Sequence, residues 1–237
     1  MKIALLGYGK MGHEVEKIAI EHGHTIGVTI DNSKEWIEKA GQLRDCDVAI
    51  EFSTPAIVVE NIQKCFDAGI PVVVGTTGWY DKFTLVSDSC NSSNNTLFYA
   101  SNFSIGVNIF FDINKRLATL LEDYPMYSPS IVEIHHTQKL DAPSGTAISL
   151  ANDIIGANPR YTKFTSVNPL PEEIPVQSIR EGNVAGTHTI TWKSDIDQIT
   201  ITHEALNRRG FALGAIMAAA WVKDRKGVFT MKDMLNL

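Results

Sequence analysis

Residues 2–12 have the sequence Lys2-Ile3-Ala4-Leu5-Leu6-Gly7-Tyr8-Gly9-Lys10-Met11-Gly12. The apolar run at 2–6 predicts a short buried strand, and the Gly-Xaa-Gly-Xaa-Xaa-Gly pattern that follows at once predicts a tight turn into a helix. A second strand is predicted at 24–30, closing on Asp31 about twenty residues beyond the glycines. Such a unit binds a dinucleotide: glycines let the pyrophosphate approach the backbone, and the acid accepts hydrogen bonds from the adenosine ribose. The competing interpretation is a structural turn without a ligand.

The alternation of strands and helices continues to residue 103. Further strands are predicted at 47–52, 70–74 and 96–100, and helices at 56–68 and 81–90. Ligands of parallel sheets bind in the loops beyond the carboxyl ends of the strands. Two such loops are therefore candidate walls of the dinucleotide site, although ordinary turn chemistry explains them equally well: Phe52 with Ser53, and Gly75 with Thr76 and Thr77.

The pattern changes after Phe103. It predicts helices at 107–123, 146–155 and 210–223, strands at 130–135, 177–180, 186–192 and 198–204, a long loop at 156–175 and a short tail at 227–230. The alternating strands indicate an open sheet. We therefore predict a nucleotide-binding α/β domain followed by an α+β domain with a mixed sheet, with the C-terminal helix returning to the first domain.

Proton donors are concentrated in one segment, Glu133-Ile134-His135-His136-Thr137-Gln138-Lys139-Leu140-Asp141-Ala142-Pro143-Ser144-Gly145-Thr146-Ala147. The turn Ser144-Gly145-Thr146 opens a predicted helix, whose first N–H groups would converge on one spot. A helix N-terminus favours an anion such as a carboxylate. We therefore predict a site for an acidic small molecule at this turn.

His135 and His136 are adjacent at a strand end, so their side chains are expected to point to opposite faces. One would then face the ligand while the other supports it. Together with Lys139 they offer the usual general acids, whereas a lone histidine is more often structural. Asp141 is expected to belong to the helix start rather than to orient Lys139.

The remaining polar residues carry less information. No metal site is predicted, because two adjacent histidines do not easily share one tetrahedral ion and no third ligand follows at suitable spacing. Ser144 shows no activating base, which makes a serine nucleophile a minor option. His188 and His203 alternate with threonines and are interpreted as sheet-packed or solvated. Spacing alone does not say whether Arg180 or Arg208 contacts phosphate or substrate.

Composition excludes several classes of protein. The chain has 237 residues, 44% of them hydrophobic, and a formal charge of −6. This balance suits a globular protein and argues against general nucleic-acid binding, which needs a basic surface. No apolar run approaches the length of a membrane helix, and the N-terminus is too short and too soon interrupted by glycine for a secretory signal. The three scattered cysteines indicate reduced thiols and a cytoplasmic location.

Four segments together resemble the 4-hydroxy-tetrahydrodipicolinate reductase (dihydrodipicolinate reductase) family of diaminopimelate and lysine biosynthesis. They are Gly7 to Gly12, Gly75 to Gly78, Ala100 to Asn108 and, most specifically, Glu133 to Ala147. The resemblance implies NAD(P)H-dependent reduction of a dicarboxylate in a homotetramer. It also implies a Rossmann-type parallel-sheet domain at 1–103, completed by 207–237, and a substrate-binding and oligomerisation domain at 104–206 with an open mixed sheet.

The resemblance also implies roles for individual residues. His135 matches the proton donor and acceptor, and Lys139 the second proton donor. Substrate contacts are implied at His136, Gly145 and Thr146, beside Ser144 of the same turn. Dinucleotide contacts (NADH or NADPH) are implied at Gly7, Tyr8, Gly9, Lys10, Met11, Gly12, Asp31, Gly75, Thr76, Thr77, Ala100, Ser101, Asn102 and Phe103, beside the candidate walls Phe52 and Ser53.

One departure from the family bears on the cofactor. Some members follow the acid after the second strand with an arginine that takes the 2′-phosphate of NADPH. Here Asp31 is followed by Asn32, which offers no cation, although Lys34 is a candidate, and Asp31 itself repels a phosphate. We therefore predict that NADH is used at least as well as NADPH. The alternatives to this reductase are another two-domain NAD(P)-dependent dehydrogenase, of the sugar or aspartate type, and a non-catalytic NAD-binding protein.

Overall fold

The computed structural model describes residues 1–207 and 209–237. Its strands are β1 Lys2–Leu6, β2 Thr25–Ile30, β3 Val48–Glu51, β4 Val72–Val74, β5 Thr96–Tyr99, β6 Ser128–His135, β7 Lys163–Thr165, β8 Glu173–Arg180, β9 Thr187–Lys193, β10 Gln198–Glu204 and β11 Gly227–Phe229. Its helices are α1 Lys10–Glu21, α2 Ser33–Lys39, α3 Val58–Ala68, α4 Phe83–Ser92, α5 Ile105–Leu120, α6 Gly145–Ala157, α7 Arg209–Val222 and α8 Met231–Leu235, with 3₁₀ turns at Ala40–Asp45 and Tyr80–Lys82.

The chain divides into two compact units. The first comprises Met1–Ile105 and Arg209–Leu237, and the second comprises Gly106–Arg208. The domain boundaries at 1–103 with 207–237 and at 104–206 stay a prediction. Arg208, one of the two candidate anion-binding arginines, lies outside the described residues.

The first unit is a parallel sheet with strand order β11-β5-β4-β3-β1-β2. Its central strands β1, β3 and β4 are buried on both faces, as continuous apolar runs such as Val72–Val74 require. Helix α7 packs in the same core as β1 and β3, using the small side chains of Ala212, Ala215 and Ala219. The predicted Rossmann-type parallel sheet is therefore confirmed.

The predicted tail at 227–230 is wrong for most of its length. Residues 227–229 form β11, which pairs in parallel with β5 and is the edge strand of the sheet. A strand of three residues is too short to show a period in the sequence, and only the pairing with Thr96–Phe98 defines it.

The second unit is a mixed sheet with strand order β10-β9-β6-β8-β7. Strand β6 runs parallel to β8 and antiparallel to β9, so β6, α6 and β8 form a parallel crossover unit. Apolar residues of α5 and α6 cover one face of the sheet, packing on Ile131, Ile190 and Trp192. The predicted open mixed sheet is confirmed.

The predicted loop at 156–175 is wrong in three places. Helix α6 continues to Ala157, and the segment then contributes β7 and the first residues of β8. Prolines and asparagines concealed these strands, because β7 is an edge strand and proline is tolerated next to an edge. Among the helices of the described residues, none has the length and apolar character needed to cross a membrane.

Candidate functional site

The glycine turn of the first unit has the geometry that its pattern predicts. Gly7 has a φ of +85°, and a Cβ there would lie 2.3 Å from the carbonyl oxygen of Phe52. A Cβ on Gly12 would lie 2.5 Å from the carbonyl oxygen of Gly7, so only glycine lets α1 pack this closely on the turn. Gly9 is the N-cap of α1, and a Cβ there would meet nothing within 4 Å. The first amides of α1 therefore begin beside open space, where a helix N-terminus accepts an anion.

The two candidate walls lie next to this turn. A groove of about 480 Å³ is lined by Gly9, Lys10, Met11, Phe52, Ser53, Pro55, Gly75, Thr76 and Thr77. The walls are tied together, since the Ser53 N–H donates to Oγ1 of Thr76 at 2.8 Å. The Phe52 ring packs on Gly75, where a Cβ would overlap the ring at 2.0 Å. The structure thus brings these predicted cofactor residues together in one groove, and their contacts with a dinucleotide stay a prediction.

A buried carboxyl group forms hydrogen bonds that support the candidate walls. Glu51 ends β3, is fully buried and accepts hydrogen bonds from Ser53 and from Asn61 of α3. Burial raises the pKa of Glu51. Glu51 therefore holds the Phe52–Ser53 turn in place from the interior of the first unit. The sequence did not reveal this role.

Asp31 lies at the end of β2 and closes the glycine turn. Its Oδ1 accepts the N–H of Tyr8 at 2.6 Å, and its own N–H donates to Glu35 at 2.7 Å. Asn32 caps α2 by accepting the N–H of Glu35. The neighbouring lysines are ion-paired: Lys39 with Glu35 at 2.8 Å, Lys64 with Glu60 at 2.7 Å and Lys34 with Glu38 at 3.8 Å. The surroundings of Asp31 are therefore rich in carboxylates.

Residues 100–103 follow β5 at the same carboxyl edge of the sheet. The side chain of Asn102 accepts the N–H of Ser104 at 2.9 Å, which shapes the turn before α5. Phe103 is buried, and its carbonyl group packs against Gly214 of α7, where a Cβ would overlap the oxygen. Ala100, Ser101, Asn102 and Phe103 are therefore placed with the other strand-end loops, as a dinucleotide site requires, and their contacts stay a prediction.

The second unit contains a buried carboxylate–imidazole pair, Glu133 with His135, at the end of β6. Two residues apart in a strand, the two side chains share the face covered by the helices. Glu133 is fully buried, and its Oε2 lies 2.5 Å from Nδ1 of His135. Neither atom forms a hydrogen bond of standard geometry with a described residue. Because an unpaired buried polar atom costs about 1–3 kcal/mol, the close contact is the favoured arrangement for both.

Arg180 and Ser144 hold the other oxygen of Glu133. Oε1 accepts Nη2 of Arg180 at 2.9 Å and the N–H of Ser144 at 3.1 Å. Burial alone would raise the pKa of Glu133, but the polar groups of Ser178, Arg180 and Ser144 outweigh it and lower the pKa to about 2. Glu133 is therefore ionised. Burial lowers the pKa of His135, and the Glu133 carboxylate opposes that shift.

Lys139 lies in the loop that follows β6. Its Nζ pairs with Asp141 at 2.9 Å, and its side chain is about one-fifth exposed. The expectation that Asp141 belongs to the helix start is wrong, because Ser144 is the N-cap of α6. Arg180 also holds this loop, donating to the carbonyl oxygens of Lys139 and Asp141. One arginine therefore supports both Glu133 and the backbone beside Lys139.

The predicted anion turn is the N-terminus of α6. The Ser144 hydroxyl accepts the N–H of Ala147 at 3.2 Å and lies 3.2 Å from Nε2 of His188. The helix supplies no acceptor for the amides of Gly145 and Thr146, and Gly145 is exposed. His136 follows the strand, with its N–H donating to Val184. The structure thus brings Ser144, Gly145 and Thr146 into the same unit and loop region as His135, His136 and Lys139.

His188, predicted to be sheet-packed or solvated, is buried in the sheet and is also a neighbour of His135. The pairing of β9 with β6 places His188 opposite Glu133, with the two imidazole centroids 5.1 Å apart. Burial lowers the pKa of His188 to about 4, so the ring is neutral near pH 7. Strand register, which the sequence does not show, creates this contact.

Glu133, His135 and His188 offer one ligand atom each within 4.8 Å of one another. The sequence prediction of no metal site therefore rested on too few candidates, although it is not contradicted. Two ligands of one tetrahedral zinc ion lie about 3.3 Å apart, whereas Glu133 and His135 approach to 2.5 Å. Arg180 already occupies the other carboxylate oxygen. The geometry suits proton exchange better than ion binding.

Both halves of the chain match models of one family. Residues 1–103 match dihydrodipicolinate reductase, N-terminus, and residues 106–235 match dihydrodipicolinate reductase, C-terminus. The chain is 48% identical to the 4-hydroxy-tetrahydrodipicolinate reductase of Christiangramia forsetii over 238 residues, covering 100% of this chain and 98% of the relative. It is 34% identical to the reductase of the same name from Acinetobacter baumannii over 241 residues, covering 98% and 87%.

Solved structures agree on the fold. A dipicolinate-bound dihydrodipicolinate reductase from Paenisporosarcina sp. TG-14 is similar with a TM-score of 0.77, at 22% identity and over 99% of both chains. A myo-inositol dehydrogenase from Corynebacterium glutamicum is similar with a TM-score of 0.51, at 13% identity and over 96% and 90% of the chains. At these identities both likenesses concern the fold alone.

Proposed function

The chain belongs to the dihydrodipicolinate reductase family, and we propose that its first unit holds the dinucleotide and its second unit holds the dicarboxylate. The reaction is the NAD(P)H-dependent reduction of 4-hydroxy-tetrahydrodipicolinate to tetrahydrodipicolinate in diaminopimelate and lysine biosynthesis. The resemblance drawn from the sequence is thereby confirmed. The roles of individual residues are the proposal.

One observation supports the substrate end most directly. Ser144 caps α6, so the amides of Gly145 and Thr146 form a carboxylate site in the segment that also carries His135 and Lys139. His136, which follows His135 in the chain, is the further proposed donor. We infer that the dicarboxylate binds through Ser144, Gly145, Thr146 and His136.

The proton comes from the end of β6 and from the loop that follows it. His135 is the proposed general acid, because its ring is oriented by an ionised carboxylate. Lys139 is the proposed second proton donor, held by Asp141. The reduced nicotinamide, when bound, supplies the hydride. Gly7 to Gly12, Asp31, Phe52, Ser53, Gly75 to Thr77 and Ala100 to Phe103 would hold the dinucleotide.

The activity assay also tests the cofactor. We expect kcat/KM with NADH at least equal to that with NADPH, because Asp31 and Glu35 frame the ribose end while Lys34, Lys39 and Lys64 are paired with acids. The measurement is NADH or NADPH oxidation in the presence of freshly generated substrate. A strong preference for NADPH would contradict the expectation. Failure with both cofactors would remove the proposed division of roles.

A matched variant sharpens this comparison. Ser33 is the first residue of α2 and is exposed beside Asn32. Ser33→Arg leaves the Asn32 cap in place and adds a guanidinium that can pair with a 2′-phosphate. We expect relative use of NADPH to rise about tenfold, the value of one hydrogen bond to a charged group.

We propose that the protein is a homotetramer assembled through the second unit. The sheet face opposite the helices carries β-branched side chains in register, with Val132 next to Thr189 and Thr189 bonded to Thr202 at 3.1 Å. Thr191 and Thr200 repeat the arrangement at 3.2 Å. This face suits packing against another copy. Light scattering should give four times the 26.1 kDa chain mass, and Thr191→Asp should give smaller species. A monomeric wild type would contradict the proposal.

We also propose a cytoplasmic location. Cys46, Cys65 and Cys90 are free thiols and are buried. Reduced thiols are typical of proteins in a reducing compartment.

A further inference from the structure

We propose that Glu133 is a positioning residue for the reduction: its carboxylate holds the neutral His135 ring with the proton on Nδ1, so that Nε2 is the nitrogen that exchanges a proton with the substrate. The inference rests on the proposed function, in which His135 is the acid. It assigns a task to a buried carboxylate that the sequence pattern left unexplained.

The contacts of the two ring nitrogens of His135 support this assignment of the proton to Nδ1. Nδ1 lies 2.5 Å from Oε2 of Glu133. Nε2 faces Gly186, where a Cβ would lie only 3.0 Å away, so glycine keeps this nitrogen from being covered by a side chain. An ionised carboxylate accepts only, so the nitrogen facing it must carry the proton. Nε2 is then the ring nitrogen that is left to gain and lose a proton.

The carboxylate is itself fixed in place. Its Oε1 accepts from Nη2 of Arg180 and from the N–H of Ser144, and both groups can only donate. Strand pairing places Arg180 opposite His135 in β8. Glu133 therefore cannot rotate away from the ring without giving up two donors.

The titratable groups nearest His135 come from three strands and one loop. Glu133 is on β6, Arg180 on β8, Lys139 in the following loop and the neutral His188 on β9. Of these, Glu133 alone carries a negative charge. It therefore raises the pKa of His135 and opposes burial, Lys139 and Arg180. Without the Glu133 carboxylate, His135 would lose its protonated form at a lower pH.

Glu133→Gln gives a sharp test. Arg180 and the Ser144 N–H still require an acceptor, so the amide oxygen should take the place of Oε1. The amide NH₂ then faces Nδ1 of His135 and donates to it. The proton of the neutral ring is expected to move from Nδ1 to Nε2. Turnover should fall about 100-fold, the lower range of a general-acid contribution, with the KM for the dicarboxylate unchanged.

The primary measurement is the histidine tautomer by ¹⁵N NMR on the full-length protein without ligands. Signals of His135 are identified by their absence from the His135→Gln spectrum. We expect the Nδ1–H tautomer in the wild type and the Nε2–H tautomer in Glu133→Gln. An Nε2–H tautomer in the wild type overturns the inference even if the variant does not fold. So does an Nδ1–H tautomer retained in the variant.

The pH profile separates positioning from a merely structural role. The alkaline limb of kcat should move to lower pH in Glu133→Gln. The alkaline limb should stay near its wild-type position in Glu133→Asp, because aspartate keeps the negative charge on a shorter side chain. Glu181→Gln removes an exposed charge from the next loop and should change neither limb nor tautomer. An unmoved limb in Glu133→Gln contradicts the inference, whereas full turnover in a His135 variant contradicts the proposed function.

Discussion

His135→Ala is expected to lower kcat for reduction of the dicarboxylate by a few hundredfold or more. The residue is the proposed general acid, and such groups contribute about 10²–10⁴-fold. Affinity for NADH should stay unchanged, because the proposed dinucleotide residues belong to the first unit and His135 to the second. Steady-state kinetics and NADH titration of the same preparation give both values.

Lys139→Ala should cause a loss of similar order if Lys139 is the second proton donor. When two groups serve one proton transfer, their losses do not add. The double variant should therefore be little slower than His135→Ala. Lys193→Ala is the matched control, since Lys193 is exposed and pairs with Ser128 at the opposite end of β6 from His135. Unchanged turnover in both single variants would eliminate the acid–base roles.

Local patterns carried most of the correct predictions. The turn after β1, the acid after β2 and the start of α6 each depend on residues close together in the chain. Gly7 is needed because of its positive φ and the nearby Phe52 carbonyl, and a glycine pattern expresses that need directly. The Ser144 cap is likewise local.

The surroundings of His135 depend on strand register instead. Pairing places Glu133 between Ser178 of β8 and His188 of β9, and His188 opposite His203 of β10. These residues are up to about seventy positions apart, and no spacing in the sequence relates them. Glu133 alone was accessible to sequence reasoning, because residues two apart in a strand share a face. Arg180 was a candidate ligand contact, and the structure places it on Glu133.

Gly7→Ala is expected to destabilise the first unit by about 2–5 kcal/mol. The backbone at Gly7 is left-handed, which costs an alanine roughly 1–2 kcal/mol. Its Cβ would also lie 2.3 Å from the Phe52 carbonyl oxygen and 2.8 Å from Cα of Ser53, and such overpacking costs about 1–3 kcal/mol. Neither strand can yield easily, because Gly7 donates to Ile30 and Phe52 donates to Leu6. Thermal denaturation should show a melting temperature lower by roughly 4–20 °C.

Gly9→Ala distinguishes an effect on dinucleotide binding from an effect on stability. Gly9 has a φ of −79°, and a Cβ there would meet nothing within 4 Å. The melting temperature should therefore stay near that of the wild type. The added methyl group would nevertheless occupy the space before the first amides of α1, where a pyrophosphate must approach closely, so NADH affinity should fall roughly tenfold or more. If Gly9→Ala bound NADH normally, the open space beside Gly9 would not be the phosphate site. If Gly7→Ala melted like the wild type, neither the positive φ nor the close Phe52 carbonyl group would require glycine at position 7.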